Sequence, residues 1–452
     1  MAALLAALMF PTVLAILPLG FPVAFTVLGV ALVYAVLGQL AGVFDLHLLS
    51  ALPIRVLNLM DNDILQAIPL FIYVGAVMER TQMARDLLGS LASALGRRPA
   101  GLALATLVVG LLLAPTTGAI GATVVALGLL ALPPMLSAGY DRSFAAGIAT
   151  AVGTLGVVLP PSIILILVTD QMRIAVAAVQ LPGGATSAFL MRKLYLGMVG
   201  PVALVVVGYL AVVLWRAVRR PDTVPAHPYA QSAGRALLNI VPPLAIFAVT
   251  LYAILSGRVY TVEAAGGAAI AITAWALVRR ELTLRALGDV VRLVTRISGA
   301  LFLLIMAAGT FSLVFRGFGG DRLARDLITT TLPPEAAVPA VFAALVVFGF
   351  FLDAIEIVFL VVPVAVPPLI ALGGDPLWLG VLVALTLQTS FLLPPAGFAI
   401  FFMDQVRRNI GADEITMFTI YRGVLPFAAV QILVLAAVLT WPVIATWLPG
   451  QT

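Results

Sequence analysis

The stretch Gln388-Thr389-Ser390-Phe391-Leu392-Leu393-Pro394-Pro395-Ala396-Gly397 sets two consecutive prolines deep inside an apolar run. Two prolines remove two amide donors and push the residue before them out of the α region. In regular helical register the carbonyls of Ser390 and Phe391 lose their partners. In hydrocarbon a bare carbonyl is costly, so such a break persists only inside protein or beside a polar cavity. A second copy, Thr154-Leu155-Gly156-Val157-Val158-Leu159-Pro160-Pro161-Ser162, stands upstream and frees the carbonyls of Gly156 and Val157. Two interrupted membrane helices in matching places point to the binding site of a secondary transporter.

Composition agrees with that class. Of the 452 residues, 62% are hydrophobic and 10% charged, against about 25% charged in a soluble chain. The expected fold is an all-α polytopic membrane protein in a lipid bilayer. The net charge of +5 comes from arginine, with Lys193 the only lysine. The arginines cluster in short connections, which sets topology and does not imply nucleic acid. Cysteine is absent, which excludes disulfides and thiolate metal sites. His47 and His227 fall in loops and read as surface residues, so no metal beyond a coupling ion is expected. The first residues are apolar and lack a basic n-region, and read as a membrane segment.

Leu4 to Gly38 suits two short spans or one kinked span, and Ile68 to Met78 suits one arm of a re-entrant hairpin. Arg80 to Arg98 has the pattern of an interfacial helix. Leu102 to Met135 is too long for one simple span. The connection 216–235 carries Arg216, Arg219, Arg220 and Arg235 against Asp222, and the positive-inside rule puts it in the cytoplasm. Arg279 to Arg296 forms a second basic segment on the same side, ahead of a separate apolar run from Leu301. About eleven spans plus re-entrant pieces are expected.

The two halves repeat. Asp141 precedes Pro161 by 20 residues, and Asp375 precedes Pro395 by 20. Pro133-Pro134 and Pro367-Pro368 keep the same spacing to the breaks, and Ala84-Arg85-Asp86-Leu87 recurs as Ala324-Arg325-Asp326-Leu327. Two inverted repeats with re-entrant hairpins and broken helices are therefore expected. Asp141 and Asp375 each read as a helix N-cap, Asp375 with proline at the first helical position.

The polar residues and glycines at membrane depth are Thr116, Thr117, Gly118, Gly121, Gly153, Thr154, Gly156 and Ser162 in the first half. In the second they are Asp353, Glu356, Thr386, Gln388, Thr389, Ser390 and Gly397. Freed carbonyls and hydroxyls form an oxygen shell suited to sodium, and a half-helix N-terminus suits an anion. The competing reading is that the hydroxyls bond back to their own helices and the glycines allow close packing. Asp353 and Glu356 stand three apart on one helix face; binding an ion, taking a proton and capping a broken helix all remain open.

Several of these stretches resemble one family, the large membrane permease subunit of tripartite ATP-independent periplasmic (TRAP) transporters, almost end to end. The resemblance rests on Gly20–Phe25, Ile68–Ile72, Thr117–Val125, Gly153–Gly156 with Pro160-Pro161-Ser162, Phe351–Ile357, Leu387–Phe391 with Pro394-Pro395, and Tyr421–Phe427. The second-half motifs are similar to those of the mannitol/chloroaromatic branch. Leu393, where a threonine is usual, and Val157, where a glutamine is usual, depart from the pattern. The resemblance implies a sodium-driven, elevator-type importer of small organic anions in the bacterial inner membrane, such as carboxylates, 2-oxo acids or lactate. It implies a small four-helix membrane partner, a periplasmic substrate-binding protein, no enzymatic activity, and no cofactor other than the coupling ion. The implied sodium residues are Thr117, Gly118, Gly153, Thr154, Gly156, Asp353, Thr389, Ser390 and Gly397. Those implied at the substrate cleft are Thr116, Pro160, Pro161, Ser162, Glu356, Gln388, Pro394 and Pro395. The implied division is scaffold 1–67, transport half 68–174, central scaffold 175–300, second transport half 301–403 and C-terminal scaffold 404–452. A stand-alone sodium/carboxylate symporter without a binding protein is the nearest rival. An intramembrane enzyme would need a nucleophile–base pair or metal cluster, and the sequence offers neither cysteine nor H-E-x-x-H.

Overall fold

The computed structural model describes residues 1–95, 100–117, 120–179, 187–219 and 233–451. Among these the chain is all-helical. It opens with α1 (Ala2–Ile16) and α2 (Val23–Leu40), two spans separated around Gly20, which turns with a left-handed φ of 83°. The short α3 (Leu52–Met60) follows, then α4 (Asp63–Arg80) and α5 (Met83–Leu95), which meet at a 65° bend. A first hairpin is made by α6 (Gly101–Thr117) and α7 (Ile120–Ser137). Next, α8 (Arg142–Gly153) tightens into a 3₁₀ turn at Thr154–Val157, breaks, and resumes as α9 (Ile163–Ala178). Three long spans follow, α10 (Ser187–Arg219), α11 (Ala233–Ser256) and α12 (Thr261–Val278). They lead to α13 (Leu284–Gly317) and the short α14 (Gly320–Thr331). The second hairpin pairs α15 (Pro334–Phe348) with α16 (Ala354–Glu356), a π-helical segment at Ile357–Val361, and α17 (Val362–Ala371). The second broken helix is α18 (Pro376–Leu392) and α19 (Phe398–Asn409); α20 (Met417–Thr440) and α21 (Val443–Thr446) close the chain.

Nine helices among the described residues are long and apolar enough to cross a bilayer, ten if the bent α4–α5 pair is counted. The shortfall from about eleven lies at the broken spans, whose halves are each shorter than a crossing. Two expectations change. Ile68 to Met78 is the middle of an 18-residue helix, because Asn62 caps it by accepting the Ile64 N–H at 3.1 Å. The hairpin falls instead on the stretch that was too long for one span, α6–α7. The basic segment Arg285–Arg296 and the apolar run from Leu301 are one continuous 34-residue helix, α13. The connection 220–232, with His227, lies outside the described residues.

The repeat is visible in the packing. Each hairpin packs on the first half of its own broken helix, α7 on α8 and α15 on α18, and on the second half of the other, α7 on α19 and α17 on α9. One period, from α8 to α18, holds five crossings: the broken α8–α9, α10, α11, α12 and α13. An odd number turns the second copy upside down. Ion pairs gather on the side of the basic connection: Arg216 to Asp141 at 3.1 Å, and Arg279 to Asp86. Both predicted N-caps form, Asp141 accepting from the Phe144 N–H at 3.0 Å and Asp375 from the Trp378 N–H at 2.8 Å. The closest helix contact joins α8 to α20, where a Cβ on Gly147 would lie 2.1 Å from the Gly423 carbonyl oxygen. Only glycine at both positions lets the two backbones meet.

Candidate functional site

The double prolines alone do not make the breaks. Pro133-Pro134, Pro242-Pro243 and Pro367-Pro368 all stay inside helices. Pro333-Pro334 straddles the start of α15, with Pro333 extended as its N-cap, and Pro160-Pro161 and Pro394-Pro395, both with cis peptide bonds, interrupt an apolar helix. At each interruption an extended residue follows, Ser162 (ψ 135°) or Gly397 (ψ 122°), and serves as N-cap of the next helix.

At the first break, the freed carbonyls are those expected, and the chain satisfies them itself. The Ser162 hydroxyl, fully buried, donates to the Gly156 carbonyl at 2.5 Å and lies 3.1 Å from that of Val157. Gly156 lies against the first hairpin, where a Cβ would come 2.2 Å from the Ala114 carbonyl oxygen. Gly153 packs in the same way on Val124. Thr154 donates to the Ala151 carbonyl at 2.7 Å and accepts from the Gln431 amide at 3.1 Å. Gln431 also donates to the Tyr209 hydroxyl at 2.6 Å, so α20 and α10 both reach this turn. These two partners were not foreseen, and nothing local in the sequence marks them. Gly118 lies outside the described residues, as do the side chains of Thr116 and Thr117 at the end of α6.

At the second break, Thr389 and Ser390 bond back to the carbonyls of Leu385 (2.7 Å) and Leu387 (2.8 Å), the plain structural reading of those hydroxyls. The Gly397 N–H donates to the Leu393 carbonyl at 2.9 Å, and Tyr421 donates to the Pro395 carbonyl at 2.8 Å. Pro395 is exposed, whereas Pro160 and Pro161 are buried. The second hairpin tip touches this break: a Cβ on Gly349 would lie 2.2 Å from the Ser390 hydroxyl. Asp353 caps the returning arm of that hairpin, and the Glu356 carboxylate accepts the Asp353 N–H at 3.2 Å. The two breaks are neighbours, since the 3₁₀ turn at Thr154–Val157 packs on α18.

One feature of α18 stands apart. Gln388 is completely buried, yet neither its amide nitrogen nor its oxygen has a partner among the described residues, and the Thr386 hydroxyl, two residues earlier and on the nearly opposite side of α18, has none either. Each unsatisfied buried group costs about 1–3 kcal/mol, so α18 carries hydrogen-bonding capacity that its own fold does not use.

A further pair was legible and missed. Asp170-Gln171-Met172-Arg173 on α9 recurs as Asp404-Gln405-Val406-Arg407 on α19 at the 234-residue offset of the double prolines. Both aspartates are buried and paired with their arginines, at 3.1 and 2.6 Å.

Comparison with known proteins places this geometry. The chain is similar to the sialic acid TRAP transporter large permease SiaM of Vibrio cholerae, 26% identical with 95% of each chain covered. It is 27% identical to the C4-dicarboxylate TRAP transporter large permease DctM of Pseudomonas aeruginosa, covering 88% of this chain and 89% of that one. In fold it is similar to the YdaH transporter of Alcanivorax borkumensis, with a TM-score of 0.66 over 89% of both chains at 14% identity. Residues 9–444 match the family model for the DctM component of tripartite ATP-independent periplasmic transporters. Membership implies a small membrane subunit and a periplasmic binding protein as partners in secondary transport. The chain belongs to this family, as a large permease subunit and a multi-pass protein of the bacterial inner membrane.

Proposed function

We propose that this chain is the permease of a sodium-coupled importer of small organic anions, taking its substrate from the binding protein and moving it by an elevator motion. The observation that carries the reading is the pair of adjacent, inverted breaks with the unpartnered Gln388 and Thr386 beside them. Backbone oxygens at such ends suit a cation, and the half-helix N-termini at Ile163 and Phe398 suit an anion. Relatives named for sialic acid and for C4-dicarboxylates favour an acid as substrate. In this reading the mobile part joins 68–174 with 301–403.

The test is uptake of labelled C4-dicarboxylates and sialic acid by liposomes holding this chain and its small subunit, with binding protein outside. An inward sodium gradient drives accumulation, and Asp353→Asn weakens the sodium dependence. Equal uptake with sodium replaced by choline would remove the coupling. Uptake by this chain alone, without binding protein, would favour the stand-alone symporter instead.

A further inference from the structure

A cavity between the helices lies away from the breaks. It measures about 440 Å³, and α2, α3, α4, α9, α13 and the π-helical segment contribute to its wall. Its α9 residues begin at Asp170, eight positions past Ser162, or about 12 Å along the helix. α10 carries the chain from the far end of α9 to the basic connection, so the cavity lies at the opposite membrane face from that connection. By the positive-inside rule that face is periplasmic.

The charge inside is unbalanced. Arg55, Arg173 and Arg316 line the cavity with Asp170 as the acid among them. Asp170 is already taken: it accepts from Asn62 at 2.8 Å, Gln171 at 3.1 Å and Arg173 at 3.1 Å. Among the described residues no carboxylate pairs with Arg55 or Arg316; the hydrogen bond of Arg55 runs to the Gly309 carbonyl at 3.4 Å. Partial burial, and then the charge of Arg316, lower the pKa of Arg55 from the usual guanidinium value. Arg55 and Arg316 line one cavity as like charges, which repel unless something negative stands near both. The twin motif sharpens the point. At the other end of the pseudo-symmetry Asp404 takes both its arginines, Arg407 and Arg408, from its own helix. The extra cations at the Asp170 end come from the neighbouring α3 and α13. The remaining wall is mostly apolar, Met306 and Phe359 included, with Asn58, Gln171, Thr310 and Ser312 as polar members.

We infer that this periplasmic cavity binds an anion with an apolar body, its carboxylate or phosphate held between Arg55 and Arg316. The source is either a soluble anion on its way to the breaks or the headgroup of an anionic lipid. The volume falls within the range of small-molecule sites, and guanidinium forks match both kinds of oxyanion. The inference concerns occupancy and does not depend on the transport reading, so its test uses binding and not uptake.

The full chain is purified in neutral detergent and titrated with phenylacetate and with inorganic phosphate by calorimetry. In parallel it is placed in nanodiscs of phosphatidylcholine with or without phosphatidylglycerol, and its unfolding temperature is measured. Arg55→Gln and Arg316→Gln each weaken anion binding about tenfold, the loss of one charge-assisted bond; Arg55→Lys retains most of it. Arg292→Gln, on the exposed opposite end of α13, changes nothing. Saturable phenylacetate or phosphate binding that both variants lose assigns a soluble anion. Stabilisation by phosphatidylglycerol alone, lost in both variants, assigns a lipid headgroup. If none of the three probes binds, or Arg55→Gln and Arg316→Gln bind them as tightly as the parent, the site does not exist.

Discussion

The two breaks share a sequence pattern and a backbone path but are held differently. At the first, a buried serine hydroxyl reaches back across the gap to two carbonyls, and the prolines are covered. At the second, the hydroxyls of Thr389 and Ser390 turn onto their own helix, Pro395 faces outward, and two polar side chains lack partners. The contact with each hairpin is reversed too. At the first break the glycine is on the broken helix, facing a carbonyl of the hairpin; at the second it is on the hairpin, facing a hydroxyl. Duplicated sequence gave the same interruption twice, and divergence then closed one copy and left polar capacity in the other.

The largest effect should come from crowding the first contact. A Cβ on Gly156 would meet the Ala114 carbonyl oxygen at 2.2 Å, and backbone of a packed hairpin cannot step aside. Overpacking of this kind costs about 1–3 kcal/mol, occasionally more. Gly156→Ala is expected to lower the unfolding temperature of the purified chain further than Gly349→Ala, whose new methyl meets the Ser390 side chain. Removing that side chain in Gly349→Ala/Ser390→Gly should restore part of the loss. Equal losses in both single variants would mean that the two contacts are equivalent after all.

Much of this was legible in the chain, for identifiable reasons. Breaks, caps and repeats are local or periodic, so Asp141, Asp375, the two Pro-Pro motifs and the 234-residue offset could be read directly. The D-Q-x-R pair was equally visible and went unread, because an acid and a base three apart look like any solvated helix face. What was not legible depends on distant residues. Three other double prolines are absorbed by continuous helices. The Thr154 hydroxyl is met by Gln431, 277 positions away, and no pattern near either residue announces it.

A smaller effect separates the two serines. Ser162→Ala strips the hydroxyl that serves the Gly156 and Val157 carbonyls in a buried place, at about 1–3 kcal/mol. Ser390→Ala removes a hydroxyl bonded to a carbonyl of its own helix, at about 0.5 kcal/mol or less. Thermal unfolding of the two variants in the same detergent measures the difference. A Ser390→Ala loss as large as that of Ser162→Ala would show that the second break is clamped by its hydroxyl as firmly as the first.

The smallest expected change in stability carries the most about function. Gln388 is fully buried with both ends of its amide unpaired, so the empty protein bears its desolvation without return. Replacing an unsatisfied polar group by an apolar one of similar shape is close to neutral or stabilising. Gln388→Leu should therefore leave the unfolding temperature of the empty protein unchanged or slightly raised, while abolishing uptake in liposomes that also contain the small subunit and binding protein. The opposite signs matter, because a residue that merely packs loses stability and activity together. If Gln388→Leu unfolds early, its amide has a partner inside the fold. If it remains stable and still transports, the unfilled hydrogen-bonding capacity of the second break is not where the solute binds.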